Sequence, residues 1–130
     1  MPLLIVTPEE ITERLNKFPN IPQIIKNYSI KENSFRVEMK IDKIPMDIKI
    51  NLKFDSYSAG MIFFSYSCNI PKIFFNMLKG VIKDRTKEII SIEDDFIKMN
   101  ADQLILNTKI GFQIKNINFE HGFYKIDFSL

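Results

Sequence analysis

Residues 44–55 read IPMDIKINLKFD, and they alternate almost without interruption. Ile44, Met46, Ile48, Ile50, Leu52 and Phe54 fall on one side; Asp47, Lys49, Asn51, Lys53 and Asp55 fall on the other. Pro45 alone dilutes the polar set. A period of two sends every apolar side chain to one face of a β-strand and every polar one to water. At ~3.3 Å per residue the stretch spans roughly 35–40 Å, long for a strand in a small domain. A long strand with one wet face belongs to an antiparallel sheet.

The neighbouring segments extend this reading in both directions. Ile24 to Ile41 forms a hairpin about Glu32-Asn33-Ser34, and Asp42-Lys43 turns into the long strand. Tyr57-Ser58-Ala59-Gly60 turns again into a strand from Met61 to Cys68. That strand has bulk on both sides: Met61 and Phe63 on one, Ile62, Phe64, Tyr66 and Cys68 on the other. Such a strand calls for cover on both faces, by a helix, a second subunit or a ligand. Farther on, Ile90 and Ile92 pair with Phe96–Met99 about Glu93-Asp94-Asp95. Ala101 to Leu106 reads as a short helical turn. Ile110, Phe112 and Ile114 alternate, then Ile117 and Phe119 alternate in the other phase, which predicts a bulge near Lys115-Asn116. Glu120-His121-Gly122 turns into a closing strand through Tyr124, Ile126, Phe128 and Leu130. SIKENSFRVEM, SIEDDFIKM and NFEHGFYKIDF share one pattern, read as three hairpins obeying the same turn chemistry.

Two helices interrupt the strands. Thr7-Pro8-Glu9-Glu10 supplies a cap, a proline for the first helical position and the glutamate of a capping box. Ile11, Leu15 and Phe18 make a narrow stripe, and Pro19 and Pro22 stop the helix near Phe18. The second helix runs from Pro71 to Arg85. Ile73, Phe74, Met77, Leu78, Val81 and Ile82 recur at helical spacing, and Phe75 lies near the edge of that face. Gly80 inside it predicts close packing or a kink. The expected architecture is one α+β domain over 1–130: a long-stranded antiparallel sheet in a meander of hairpins, with two helices, the second packed on a sheet face.

Composition narrows the function classes. A net charge of +2 over 130 residues, with no Arg-rich run, argues against nucleic acid. The phenylalanines keep the phase of the apolar faces, as core residues do. Cys68 is the lone cysteine, which suits a reducing compartment, so the expected location is cytoplasmic, with peripheral contact to a membrane as an option. MPLLIVTPEE lacks the basic n-region and long apolar core of a signal peptide. No stretch approaches the ~20 apolar residues of a membrane span. His121 sits in a turn without a nucleophile or orienting carboxylate in any recognisable motif. Glu93-Asp94-Asp95 lacks the ligand alternation of a calcium loop. No phosphate-binding loop, dinucleotide fingerprint or zinc spacing is present, so neither catalytic residue, metal nor cofactor is assigned.

Two features point to binding. Apolar side chains are in surplus on a sheet gripped by a helix, an arrangement that can enclose an elongated cavity. Met46, Phe54, Met61, Phe63, Phe74, Met77 and Leu78 are the candidate lining. The second helix also carries Lys72, Lys79 and Lys83 opposite its apolar face, as a membrane-surface helix does. The leading expectation is a non-enzymatic domain for an apolar ligand, lipid or membrane surface. The alternative is a protein-interaction module, by homodimer or partner binding, with Met61–Cys68 as the homodimer surface.

The stretch from Phe35 to Phe64, the helix from Pro71 and the terminal IGFQIKNINFEHGFYKIDFSL, with Ile117, Phe119, Gly122 and Tyr124 in a late strand pair, resemble the LmeA-type bacterial phospholipid-binding domains. The resemblance implies amphipathic strands, tight hairpins and a helix that bind lipid on an apolar face, with no catalytic residue.

Overall fold

The computed structural model describes residues 3–17, 24–103 and 113–129. The order is β1 (Leu3–Val6), α1 (Pro8–Asn16), β2 (Ile25–Lys31), β3 (Ser34–Met39), β4 (Ile48–Ser58), β5 (Met61–Cys68), α2 (Lys72–Arg85), β6 (Ile90–Ile92), β7 (Ile97–Asn100), β8 (Gln113–Glu120) and β9 (Phe123–Ser129). Residues 101–103 are helical. The strand reading of Ile110 and Phe112 and the helical reading of residues 104–106 lie outside the described residues, as do Phe18, Pro19 and Pro22.

The expected α+β meander is present, divided between two antiparallel sheets. The larger runs β2-β3-β4-β5-β7-β6 and the smaller β1-β9-β8. The quoted alternation forms β4, but the strand begins at Ile48 rather than Ile44. Residues 42–46 instead turn, with the Ile44 amide donating to the Ile41 carbonyl at 2.9 Å. Ile44 is still buried from that turn. At the far end the ladder passes from Phe54↔Phe64 to Ser56↔Phe63, so Asp55 is bulged out. The extra residue resets the phase and puts Tyr57 on the same face as Phe54. β8 has the bulge expected near Lys115: its register passes from Ile114↔Phe128 to Asn116↔Asp127.

Three two-residue turns close hairpins: Glu32-Asn33, Ala59-Gly60 and His121-Gly122. Gly60 has φ +82°, and a Cβ there would also collide with the Asp102 carboxylate. The left-handed backbone disfavours a side chain at Gly60, while the Asp102 carboxylate, the end of a flexible side chain, can swing aside. After β5 the chain crosses over through α2 to β6, then returns as β7 between β5 and β6, so β5 and β6 run parallel.

One face of the large sheet is buried in two portions. Under α2 lie Met39, Ile41, Ile44, Ile48, Ile50, Phe64, Ile92 and Ile97, with fully buried Leu78 from the helix. Phe74, Phe75, Val81 and Ile82 pack against the same cluster. Ile73, read as part of this face, is 69% exposed instead. At ~100° per residue, Ile73 and Phe75 cannot both face the sheet, and Phe75 takes the place by stacking on Tyr66 at 5.8 Å. Gly80 faces outward, where a Cβ would meet nothing within 4 Å. The close packing expected there is absent.

The small sheet covers the other portion. The Tyr124 ring lies 5.9 Å from Phe54 and 6.1 Å from Phe35, with Phe119 of its own sheet at 4.6 Å. Two tyrosines fasten the sheets reciprocally. The Tyr57 hydroxyl donates to the Ile114 carbonyl and the Tyr124 hydroxyl to the Glu32 carbonyl, each at 2.9 Å. Burial pushes the Tyr124 phenol up to about 12. It raises Tyr57 in the same direction, helped by the charge of Asp102. α1 begins as its sequence dictates: the Thr7 hydroxyl accepts from the Glu10 amide at 3.1 Å.

Candidate functional site

The seven candidate lining residues do not converge. Met46, Phe54, Phe74 and Leu78 join the core, Leu78 at its centre. Met61 and Phe63 leave β5 from the opposite face, where their neighbours across the ladder are Ser58 and Asn100, and Ser56 and Lys98. There the Phe63 ring meets Phe96 at 5.7 Å. Met77 is half-buried on α2. The alternation in β5 separates the two sets across the thickness of the sheet, so one cavity cannot be lined by both.

The three lysines also part company. Lys79 Nζ lies 2.9 Å from Asp94 Oδ1 and 5.2 Å from the centre of the Phe75 ring. That hydrogen bond raises the Lys79 pKa and lowers that of Asp94. Lys83 Nζ lies 3.8 Å from Glu88 Oε1. Lys72 is exposed and borders an open groove of about 470 Å³ with Cys68, Asn76 and Lys79. Two of the three positive charges are thus answered by acids of the same chain, which weakens the case for a positively charged helix face.

A second groove, of about 360 Å³, lies where the last turns of α2 pass the loop after β3. Its apolar lining is Ile24, Ile41 and Val81; Lys40, Lys43 and Arg85 border it, as do Asp42 and Asp84. Phe54 borders a third, at the junction of the two sheets, among Asn33, Asp55, Asn116 and Asn118. Among the described residues, no group of three His, Cys, Asp or Glu side chains could hold a metal ion. No helix among them is long and apolar enough to cross a membrane. His121 is an exposed turn residue at φ +55°.

The sheet edges differ in a way that matters more. An edge strand offers unpaired N–H and C=O groups, and proteins guard such edges with charge, bulges or shortness. β2 carries Lys26 and Lys31, and its register shifts between Ile25 and Asn27. β6 has three residues. β8 carries Lys115 and the bulge beside it. β1 reads LLIV, regular and without charge; among the described residues its strand partner is β9. Leu3, Leu4 and Ile5 are 51%, 49% and 49% exposed. Leu3 and Ile5 share the outer face with Asp127 and Lys125 of β9, while Leu4 and Val6 share the inner face with Ile126 and buried Tyr124. This edge escaped the sequence reading because LLIV is too short for a period to show, and its partner lies at the other end of the chain. The absence of charge between Pro2 and Pro8 was the available signal.

Comparison of the chain with models of known protein families, with curated proteins and with solved structures gives no match.

Proposed function

We propose that this chain is a non-enzymatic protein-interaction domain whose β1 edge receives an extended segment of a partner. The supporting observation is the contrast between edges: β2 and β8 carry lysines and a register shift, β6 has three residues, and β1, with four, presents three half-exposed apolar side chains and no charge of its own. Strand addition supplies main-chain hydrogen bonds for affinity and alternate side chains for selectivity. A photo-reactive side chain placed at Ile5 in living cells tests this, with Lys53 on the exposed side of β4 as the control position. The expected result is an adduct at Ile5 and none at Lys53. Equal yields at both sites would remove the reading.

A second reading keeps the lipid expectation and rests on the groove at Ile24, Ile41 and Val81. Lys40, Lys43 and Arg85 at its border, which outnumber Asp42 and Asp84 by one, suit an amphiphile with an anionic head, and the resemblance to phospholipid-binding domains implies a lipid as well. Titration with dodecyl phosphate should shift the NMR signals of Ile41 and Val81 before any others; shifts scattered over the surface would discard it.

A further inference from the structure

We infer that the face of the six-stranded sheet turned away from α2 binds single-stranded RNA, with phosphates on Lys31, Arg36 and Lys53 and a base on the rings of Phe63 and Phe96. The inference goes beyond the β1 reading and uses none of its residues.

The sheet sorts charge that the composition averages. The chain carries 18 basic and 16 acidic side chains, so its total says little about any one surface. Strand register gathers five of the cations on the face opposite the core. The ladders set Lys31 and Lys53 on either side of Ser34, Arg36 beside Asn51, Lys49 beside Glu38 and Lys98 beside Phe63. Glu38 is the acid among these positions. Glu32, Asp55 and Asp95 stand at the margin, in turns or at the bulge. Among the described residues none of the five cations is ion-paired; the pairs formed there use Lys17, Lys26, Lys79, Lys83 and Lys125 instead. Neighbouring cations without acids repel one another, and an anionic chain laid across them removes that repulsion.

Local geometry points to phosphates. A groove of about 400 Å³ opens on this face, bordered by Ser29, Lys31, Glu32, Ser34, Arg36 and Asn51. Arg36 Nε donates to Asn51 Oδ1 at 3.1 Å, which anchors the guanidinium by one nitrogen and leaves the other two for an anion. Two terminal nitrogens match two phosphate oxygens.

The aromatic pair separates a nucleic acid from other polyanions. Phe63 breaks the polar phase of its face and lies half-buried there. Its ring meets Phe96 at 5.7 Å, and Phe96 is 37% exposed. From Lys53, Phe63 is one strand over and two residues along, or ~8 Å. That is about the reach from a phosphate to the base of its own nucleotide. A flat sheet cannot enter a duplex groove, but it can stack an unpaired base. A membrane surface would ask for protruding apolar side chains between the cations. The exposed residues there are Ser29, Ser34, Asn51 and Ser65. Their hydroxyl and amide groups suit the 2′-hydroxyls that distinguish RNA from DNA.

Fluorescence anisotropy with labelled oligouridylate over a range of salt tests the inference. Three phosphate contacts should make log K fall against log salt with a slope of about −2. Lys31→Gln with Lys53→Gln should lower that slope by about 1.4 and the affinity by roughly ten-fold or more. Lys17→Gln with Lys125→Gln removes the same charge elsewhere and should leave both in place. Phe96→Ala should weaken binding about five-fold or more at unchanged slope. Circular dichroism checks that each variant is folded, and the exposed lysines keep the test open if Phe96→Ala is not. No binding at low salt overturns the inference, as does equal loss from the two lysine pairs. Oligodeoxythymidylate binding as tightly overturns the choice of RNA. Phosphatidylserine vesicles or polyglutamate binding as tightly through Lys31 and Lys53 overturn it in favour of general attraction for anions. The photo-crosslinking at Ile5 and its Lys53 control are scored for protein adducts, so neither reading decides the other.

Discussion

Tyr124→Phe isolates the fastening of the two sheets, because it deletes one hydroxyl and keeps the ring against Phe35, Phe54 and Phe119. At neutral pH the loss is one hydrogen bond to the Glu32 carbonyl. Glu32 is exposed, so water can reach its freed oxygen, and the cost should sit near ~1 kcal/mol. Alkaline pH reverses the comparison. The phenol titrates at about 12 in the fold and near ~10 when unfolded. The fold therefore favours the neutral phenol: its stabilisation is complete below the unfolded pKa and disappears as pH rises through the folded one. At pH ~12 the wild type has lost about 2 kcal/mol through this group, while the phenylalanine variant has nothing to lose. The stability difference should thus begin at ~1 kcal/mol in favour of the wild type, vanish near pH ~11, and reverse by a similar amount near pH ~12. Paired urea titrations followed by far-UV circular dichroism measure it, since the other tyrosines and the lysines cancel between the two proteins. A difference that stays flat across this alkaline range would show that the Tyr124 hydroxyl is not buried as described.

Gly80→Ala should stabilise the protein by about 1 kcal/mol, because the position is an open helix interior; urea midpoints check this, and a loss of stability would mean that the glycine packs against something. Gly60→Ala should destabilise by about 1 kcal/mol, from the left-handed backbone, and a neutral result in the same assay would refute that geometry. Leu78→Ala should cost about 2–5 kcal/mol at the centre of the core; a small cost would instead reopen the possibility of an apolar cavity beneath α2. Lys79→Met should let the Asp94 pKa climb back toward the ordinary carboxylate range, read by NMR titration of the side-chain carboxyl, and an unmoved value would show that the pair does not form in solution.

The alternation of Ile48 to Phe54 made β4 legible from the sequence because strand phase is a local property. The same holds for Thr7 as a cap and for the phase slip in β8. Each depends on residues a few positions apart. The candidate site fared differently. Met61, Phe63, Phe74 and Leu78 are all large and apolar, and nothing local states that the first pair and the second pair lie on opposite sides of one sheet. Lys79 and Lys83 likewise read as free charges until Asp94 and Glu88 were brought beside them.

By itself the sequence determined the class of the protein, its turns and the phase of its long strands, since side-chain alternation, capping and turn chemistry act over a few residues. Tertiary structure decided the division into two sheets, the exclusion of Ile73 in favour of Phe75, and the pairing of Leu3–Val6 with residues 124–127. Those outcomes depend on which distant surfaces compete to be buried, a choice settled only when the whole chain packs. The place of β1 belongs to the same category: among the described residues its strand partner is β9, from the far end of the chain.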